Sequence, residues 1–469
     1  MQTRLASRSL IVNASNRSAE PIASDQPVTD VPVPSAHFDH THVWRTALGL
    51  DCRAILSLPG CQSQVVESLM PPASASSPTA IVFFSPDVTD VSTIKRARTF
   101  LDYGYRLTMF SFRRQRYNRG YQPDWPCVML GQTEDGRYGQ RLLALLKALP
   151  RIARYRRLLQ QAELFYARNV DQLLLALAAR WLVGRNIRIV YEVLDIQPIL
   201  VGRRWLSRIL RGVERFGLRR IDLLVLSSPG FWNNYFSALQ GCRQPWFLLE
   251  NKLPPQFGAQ PRRSAQSPTG LPSGNYRWTV GYCGLIRGQE TFNLIVRLAQ
   301  RLRGIVLFKF HGLVTTVDRE GFNRAIAQNE NIVYEGPYVS PRNLPEVYSD
   351  LDFAWAIDLE NTEHNSRWLL PCRYYEAGFF GVPCLTARDF EVGRLVERDQ
   401  SGWGFDAPYE DALVAFFCSL PPAAHAECRA RLLAMPKSSF VAGEDGVRLC
   451  RILDRSARWQ DEIDTASAA

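Results

Sequence analysis

The segment LLPCRYYEAGFFGVPCL, residues 369–385, sets the local structure from which the rest of the fold follows. Pro371 suits the first turn of a helix, where the missing N–H would have had no partner, and we expect that helix to run to Gly381. The apolar run 382–387 comes next and has the length of a buried strand. A helix that passes directly into a buried strand is typical of an α/β protein with a parallel sheet.

The same alternation of strands and helices occurs in both halves of the chain. In the first half, short apolar runs that end at turn residues predict strands at 80–87, 106–112, 163–169, 187–195 and 222–228. In the second half, similar runs predict strands at 278–284, 305–312, 331–337, 352–358 and 382–387. We therefore predict two Rossmann-like domains that face each other across a cleft, with ligands at the carboxyl ends of the strands.

Composition divides the chain into four parts. Residues 1–79 are rich in Ser, Ala, Pro and Asp without a period, and we expect a disordered tail and linker. Residues 80–260 form the predicted N-terminal domain, and a segment rich in Pro, Ser and Gly opens the predicted C-terminal domain at 261–420. Residues 421–469 are expected to form a C-terminal helical segment and tail.

The charge balance indicates an anionic partner. The 469 residues carry 56 Lys and Arg against 45 Asp and Glu, a net charge of +11. A nucleotide or an anionic membrane surface fits this charge, and we expect no nucleic acid because no RNA- or DNA-binding module is visible. The sequence has no secretion signal and no run of about 18 apolar residues. We therefore expect a cytoplasmic protein that can lie peripherally on the inner face of the plasma membrane.

Three segments of the second half carry a family pattern: VGYCGLIRGQETFNLIVRLAQRL (280–302), IVYEGPYVSPRNLPEVYSDLDFAWAID (332–358) and PCRYYEAGFFGVPCL (371–385). In this order they resemble GT-B glycosyltransferases, and most of all the family 4 type of bacterial surface-polysaccharide synthesis. YEVLD (191–195) and SSPGF (227–231) are also similar to exopolysaccharide transferases of the succinoglycan pathway. The resemblance implies a nucleotide-sugar donor bound as substrate by the C-terminal domain, with no cofactor and no metal. It implies that the N-terminal domain binds a lipid-linked saccharide acceptor.

The donor site is expected around the helix that starts at Pro371. A nucleotide-sugar carries a diphosphate, which the free amides of a helix start and one or two cations can bind. Arg373 supplies a cation, and Glu376 lies on the same helix face three residues later. The resemblance implies that this glutamate holds the ribose hydroxyls. An Arg–Glu pair on a solvated helix is the alternative.

Two glycine-containing turns complete the expected donor site. Gly284 allows the backbone to approach a phosphate closely, and Arg287 can bind the diphosphate. Gly336 lies in EGPY (335–338), a loop that by the resemblance contacts the base or the sugar. A plain strand-to-helix turn with an exposed arginine is the alternative for 281–290.

The sequence departs from the family pattern at Trp368. Family members often carry two glutamates separated by seven residues, and Trp368 stands where the first is expected, eight positions before Glu376. Asn365, Glu363 or Glu360 can substitute for it. The departure leaves open which residues contact the donor sugar and whether transfer retains or inverts the anomeric configuration.

Acidic residues in the first half are candidates for the acceptor side. Glu192 and Asp195 end a predicted strand, and we predict that one of them binds or deprotonates the acceptor hydroxyl. Asp87, Thr89 and Asp90 lie in the loop after the first strand and can contact the acceptor. Capping of the helix that follows is the structural alternative for these three residues.

Asp350 and Asp352 form a D-x-D pattern, which binds Mg²⁺ and nucleotide in glycosyltransferases of the GT-A fold. Asp352 directly precedes a predicted buried strand, so we expect a structural role for it and no metal site.

Two stretches predict basic amphipathic helices. Residues 137–161 place leucines on one stripe and Lys147 and Arg151 on another, and residues 202–220 combine many arginines with Trp205. A helix packed on the sheet with a solvated basic face explains either stretch alone. Together they fit an acceptor carried on a membrane lipid.

The sequence thus predicts a GT-B glycosyltransferase that moves a sugar from a nucleotide-sugar to a hydroxyl of a lipid-linked saccharide in exopolysaccharide synthesis. One alternative is a nucleotide-sugar 2-epimerase on the same fold, which turns over the donor without an acceptor. Another is a non-catalytic scaffold in a polysaccharide assembly complex, which the missing glutamate allows. A dinucleotide oxidoreductase is disfavoured because no G-x-G-x-x-G follows either first strand.

Overall fold

The computed structural model describes residues 79–114, 120–133, 138–262 and 276–454. Nearly all of the predicted N-terminal tail, most of the linker at 261–277 and the end of the predicted C-terminal tail lie outside the described residues.

The first half forms a seven-stranded sheet in the order β3-β2-β1-β4-β5-β6-β7. Its strands are β1 (Ala80–Ser85), β2 (Arg106–Arg113), β3 (Cys127–Gln132), β4 (Leu164–Arg168), β5 (Arg188–Val193), β6 (Leu223–Leu226) and β7 (Trp246–Leu248). Every neighbouring pair is parallel. The near-continuous apolar strands form this arrangement because helices cover both faces of a parallel sheet.

Helices connect these strands on both sides of the sheet. They are α1 (Val91–Asp102), α2 (Tyr138–Arg154), α3 (Arg156–Gln160), α4 (Val170–Val183), α5 (Pro198–Val201), α6 (Trp205–Leu218) and α7 (Pro229–Phe231), with a π-helix at Trp232–Ser237. Residues of α2, α4 and α6 share one core cluster with Phe84 and Phe165 of the sheet. Residues of α1 share the opposite cluster with Phe83 and Tyr166.

The second half forms a six-stranded parallel sheet in the order β10-β9-β8-β11-β12-β13. Its strands are β8 (Trp278–Ile286), β9 (Val306–Val314), β10 (Ile332–Gly336), β11 (Phe353–Trp355), β12 (Cys384–Ala387) and β13 (Gly402–Phe405). Its helices are α8 (Gln289–Arg301), α9 (Arg319–Gln328), α10 (Leu344–Val347), α11 (Asn365–Trp368), α12 (Cys372–Phe379), α13 (Glu391–Asp399), α14 (Tyr409–Ser419) and α15 (Pro422–Ala434). Short 3-10 helices lie at Pro255–Ala259 and Lys437–Ser439. The predicted α/β fold with two Rossmann-like sheets is confirmed.

The last described helix, α16 (Glu444–Asp454), returns to the first half. Its residues Leu449 and Leu453 are buried in the cluster that also contains Phe83 and Tyr166. Tyr105, just before β2, donates a hydrogen bond to Cys450 O at 2.8 Å. The chain therefore returns from the second sheet, and α16 completes the core on one face of the first sheet.

Candidate active site

The two halves meet at the carboxyl ends of their strands. Asn365, on the connection after β11, donates to Asp195 Oδ1 (3.2 Å) and accepts from Ile196 N (2.9 Å), just after β5. Ser228, just after β6, donates to the carbonyl of Trp368 in α11. The loops at these strand ends therefore line one cleft, where ligands bind in open α/β sheets.

Gly284 and Arg373 lie side by side in this cleft. Gly284, near the end of β8, has φ of 112°, and a Cβ there would lie 3.9 Å from Arg373 Nη2. The Arg373 guanidinium carbon lies 4.4 Å from the ring centroid of Tyr282, and Nη1 donates to Trp355 O at 3.0 Å. These contacts hold a cation directly beside the Gly284 backbone.

Arg287, the first residue after β8, is already paired with acidic side chains. Its guanidinium lies 2.7 Å from Asp358 Oδ2 and 3.4 Å from Glu360 Oε2. Burial acts to raise the pKa of Asp358, but Arg287 brings it below its usual value. Among the described residues, by contrast, no carboxylate lies within ion-pairing distance of Arg373. Nearby carboxylates therefore neutralise the charge of Arg373 less than that of Arg287, and Arg373 can bind an anion more strongly.

Helix α12 begins one residue later than predicted. Pro371 is its N-cap, with φ of −74° and ψ of 144°, and Cys372 is the first helical residue. The proline side chain makes no capping hydrogen bond. Because the first amides of a helix have no intrahelical partner, those of Cys372 and Arg373 can donate to an anion at this end.

Glu376 lies one turn into α12. Tyr348 donates to its Oε2 at 2.9 Å, and Oε1 accepts no hydrogen bond from the part of the chain that the structure describes. Burial raises the pKa of Glu376, while Tyr348 and Arg373 act in the opposite direction. Glu376 and Arg373 do not form an ion pair within the described ranges, which argues against the alternative of a solvated Arg–Glu pair.

Gly336 ends β10 with φ of 84°. Two residues later, burial raises the pKa of Tyr338, and the nearby Glu376 raises it further. The loop after Gly336 thus brings a tyrosine towards Glu376. Neither Tyr338 nor Tyr348 could be predicted from the sequence, because hydrogen bonds and charge effects between distant segments leave no periodic pattern.

Trp368, which stands where the first glutamate is expected, contacts the other half of the chain. Trp368 is buried in the core cluster of the first half. Of the three proposed substitutes, Asn365 binds the segment after β5, Glu363 is exposed, and Glu360 contacts Arg287 and accepts from Thr316. Of the three, Glu360 is therefore the one that lies beside Arg287.

The structure corrects the prediction for Glu192. Its side chain is buried, with Oε1 3.0 Å from Arg96 Nη2 and Oε2 2.7 Å from Arg168 Nη2. Burial acts to raise the pKa of Glu192, but the two arginines bring it below its usual value. A carboxylate held in this way accepts no proton near neutral pH and does not reach a substrate, so Glu192 is structural.

Asp195 remains a candidate. Its side chain is exposed to the cleft and receives the hydrogen bond from Asn365. The surrounding protein raises the pKa of Asp195 by desolvation, while Arg287 and Asn365 oppose that effect. A cleft carboxylate with a raised pKa has the property that a general base needs.

The residues of the loop after β1 support the loop itself. Asp87 is buried and accepts from Thr89 N (3.0 Å), Thr89 Oγ1 (2.8 Å) and Arg114 N (3.2 Å). Thr89 is fully buried as well. Asp90 is the N-cap of α1 and accepts from Thr93 N at 3.1 Å. The capping alternative therefore describes Asp90, whereas Asp87 and Thr89 hold the loop together. Of the three residues, only the half-exposed Asp90 can reach an acceptor.

The aspartates of the D-x-D pattern bind different partners. Asp352 is buried and accepts from Thr279 N at 2.8 Å, and Asp350 pairs with Lys309. No group of three or more His, Cys, Asp or Glu side chains suited to a metal ion occurs in the described residues.

Lys95 is a further candidate site residue, which the sequence did not indicate. It lies on α1, donates to Lys252 O and is close enough to Cys372 and Glu376 to interact with their charges. Burial, with a smaller effect from Arg96, lowers the pKa of Lys95 to about 8. A second cation thus faces α12 from the first half.

No protein-family model matches the chain. In sequence it is 28% identical over 361 residues to the succinoglycan biosynthesis protein ExoL of Rhizobium meliloti (strain 1021), covering 77% of this chain and 89% of that protein.

Solved structures with a similar fold include Anabaena HepE in complex with UDP, with a TM-score of 0.58 and 14% identity over 80% of this chain and all of that one. Sucrose-phosphate synthase from Thermosynechococcus elongatus gives a TM-score of 0.58 and 13% identity, over 80% of this chain and 98% of that one. The lipopolysaccharide outer core galactosyltransferase WaaB gives 0.51 and 12%, with the same coverage. These findings confirm the resemblance expected from the sequence. The chain is therefore a protein of the GT-B glycosyltransferase fold that is similar, over most of its length, to a succinoglycan biosynthesis protein.

Proposed function

We propose that this chain is a glycosyltransferase that moves a sugar from a nucleotide-sugar to a saccharide hydroxyl in bacterial exopolysaccharide synthesis. The observation that carries the proposal is the convergence of Gly284, Arg373 and Glu376 at the start of α12. The similarity to a succinoglycan biosynthesis protein supports the pathway. The UDP-bound state of a protein with this fold supports a nucleotide-sugar donor.

The donor diphosphate would lie between the Gly284 backbone and the first amides of α12. Transfer breaks the bond from the anomeric carbon to the diphosphate and forms a bond from that carbon to the acceptor oxygen. Negative charge grows on the departing nucleoside diphosphate, and Arg373, Arg287 and the helix amides stabilise it. Oε1 of Glu376 accepts from the ribose hydroxyls.

The acceptor hydroxyl loses its proton in the same reaction. We assign Asp195 as the base, because it is exposed to the cleft at the end of β5 and its pKa is raised. Asp90 lies on the same side and can orient the acceptor. The acceptor is a lipid-linked saccharide in this proposal, so the protein works at the inner face of the plasma membrane. None of the described helices is long and apolar enough to span a bilayer.

Thermal unfolding with UDP, GDP, ADP and TDP tests the donor site. A nucleotide at about 100 times its Kd stabilises a protein by about 2.7 kcal/mol, which is easily measured as a shift in Tm. We expect one nucleotide to raise the Tm of the wild type, and Glu376→Ala and Arg373→Met to lose that shift. Glu320→Ala and Arg319→Met, on the exposed start of α9, are the matched controls and should keep it.

The remaining alternatives give different results in the same experiment. A scaffold shows no Tm shift with any nucleotide, and that result would overturn the proposal. An epimerase shows the shift but converts its nucleotide-sugar when no acceptor is present, whereas the proposed transferase consumes the donor productively only with an acceptor.

A further inference from the structure

Two helices of the first half expose large apolar side chains to solvent. On α6, Trp205, Leu206 and Ile209 are 66%, 41% and 52% exposed. On α2, Leu142, Leu143 and Leu146 are 60%, 52% and 55% exposed. We call these six residues the apolar rim. A helix that only packs on its sheet would turn such side chains inward, as α2 does with Ala148 and Ile152.

The apolar rim lies at the same end of the first sheet as the active site. Its residues are in the first two turns of α6 and the first half of α2, and helices that follow parallel strands begin at the carboxyl edge. Arg141 of α2 pairs with Asp171 at the start of α4 (2.8 Å), which fixes α2 at that edge.

Helix α6 extends further beyond the carboxyl edge of the first sheet than α4 does. Gly217, near its end, packs against Leu173 in the first turn of α4, and Arg180 near the end of α4 donates to Arg220 O. The two helices therefore run parallel, and at 1.5 Å per residue α6 begins roughly 10 Å beyond the start of α4. Trp205 and Ile209 project past the sheet edge on this overhang.

Among the described residues of α2, α3 and α6, every exposed charged side chain is basic. Helices α2 and α3 contain no acidic residue, and the single acidic residue of α6, Glu214, is buried against Tyr191 and Tyr235. Arg203, Arg204 and Arg208 are exposed beside the rim on α6, and Lys147 is exposed on α2. Any partner that covers this surface must be anionic and must accept apolar side chains.

We propose that the apolar rim and its arginines bind the surface of an anionic lipid bilayer. The two patches flank α4, which contacts both α2 and α6, and the proposal requires one bilayer surface to cover both of them. Exposed leucines enter the boundary of the acyl chains, tryptophan suits the interface, and arginines remain at the head groups. This proposal rests on the proposed function, because a protein bound to the bilayer in this way would open its cleft towards a lipid-linked acceptor.

Cosedimentation of the full chain with vesicles tests the proposal. We expect binding to phosphatidylcholine vesicles that contain phosphatidylglycerol, and much weaker binding to phosphatidylcholine alone. Trp205→Glu/Ile209→Glu should weaken binding by about tenfold or more. Arg204→Gln/Arg208→Gln should weaken it by about 25-fold on the anionic vesicles only, since each cation near the surface contributes about fivefold.

Trp181→Glu is the matched control. Trp181 is 86% exposed on the same helical layer but lies at the end of α4, on the opposite edge of the sheet, so this variant should bind like the wild type. Unchanged Tm values and an unchanged nucleotide-induced shift would show that each variant is folded with an intact donor site. Vesicle binding requires neither donor nor acceptor, so its result is independent of whether transfer occurs.

Three results would overturn the proposal. The first is equal binding of the wild type to both kinds of vesicle, or to neither. The second is equal loss of binding in Trp181→Glu and Trp205→Glu/Ile209→Glu. The third is a wild-type dimer in lipid-free sedimentation that Trp205→Glu/Ile209→Glu dissociates, because the rim would then be an interface between copies of the chain.

Discussion

At the scale of single residues, two carboxylates three positions apart have opposite environments. Glu192 is buried between Arg96 and Arg168, so its charge is compensated on both oxygens. Asp195 has passed the end of β5, faces the cleft and receives one amide hydrogen bond. A buried carboxylate must be paired to stay ionised, whereas a cleft carboxylate can exchange its proton with a substrate.

Lys95 gives a prediction for the pH dependence of stability. Its pKa is about 8 in the folded protein against 10.5 in the unfolded chain, so between these values the unfolded state binds more protons and stability rises with pH. Below pH 8 the folded state bears the full cost of a desolvated charge. Lys95→Met removes that cost, and its Tm should rise less than that of the wild type between pH 8 and 10. Thermal melts across that range measure the difference.

Lys437→Met serves as the comparison, since this lysine is exposed on the short 3-10 helix Lys437–Ser439. Parallel curves for wild type and Lys95→Met would show that Lys95 keeps an ordinary pKa.

The sequence could place these residues at strand ends and helix starts but could not separate their roles. Strand-end position follows from local apolar runs, which is why both Glu192 and Asp195 became candidates. The arginines that neutralise Glu192 come from α1 and β4, and no spacing rule connects them to β5. Burial of Lys95 depends on the approach of the second half, which is also invisible in local patterns.

At the scale of elements, the pairing of β8 with β9 depends on two glycines. Gly284 and Gly312 are register partners, and a Cβ on Gly312, at φ of 137°, would lie 1.7 Å from Gly284 O. Gly312→Ala must therefore displace the backbone beside Arg373. We expect a loss of more than about 1 kcal/mol in unfolding free energy and weaker nucleotide binding, measured by denaturant unfolding and calorimetric titration.

Gly304→Ala separates the two effects. Gly304 also has a positive φ, of 72°, but no atom would lie within 4 Å of its Cβ. It should lose stability and keep its nucleotide affinity. Equal nucleotide affinity in Gly312→Ala and wild type would show that the donor diphosphate does not approach Gly284.

The long apolar runs predicted every central strand of both sheets. The strands missed from sequence were β3, β7 and β13, all at sheet edges. Edge strands are covered on fewer sides, so their residues need not be continuously apolar: β7 has three residues, and β3 has just one buried residue among six. The helix at 371–381 was predicted almost to its ends, because Pro371 and Gly381 mark both.

At the scale of the whole molecule, Asn365 connects the halves at the proposed base. Its hydrogen bond stabilises the charged form of Asp195 and so lowers the pKa of that carboxyl. Asn365→Ala removes the bond, and the pKa of Asp195 should rise. Because a base works in its deprotonated form, the acidic limb of kcat/KM for sugar transfer should move to higher pH. Initial rates across the pH range, with donor and acceptor, measure that limb.

Asn361 lies on the same connection and makes no side-chain hydrogen bond to Asp195. Asn361→Ala should therefore leave the acidic limb of kcat/KM where it is in the wild type. If the acidic limb of kcat/KM does not move in Asn365→Ala, Asp195 is not the base.

The return of α16 to the first sheet has a consequence for synthesis on the ribosome. The first sheet is complete at Leu248, and α16 starts at Glu444. At about 5–20 residues per second, the roughly 200 residues between them take on the order of 10–40 s to translate. During that time the face containing Phe83 and Tyr166 lacks Leu449 and Leu453. The nascent N-terminal half therefore remains partly uncovered until α16 has been synthesised, and a ribosome that stalls before Glu444 leaves a half whose core lacks this helix.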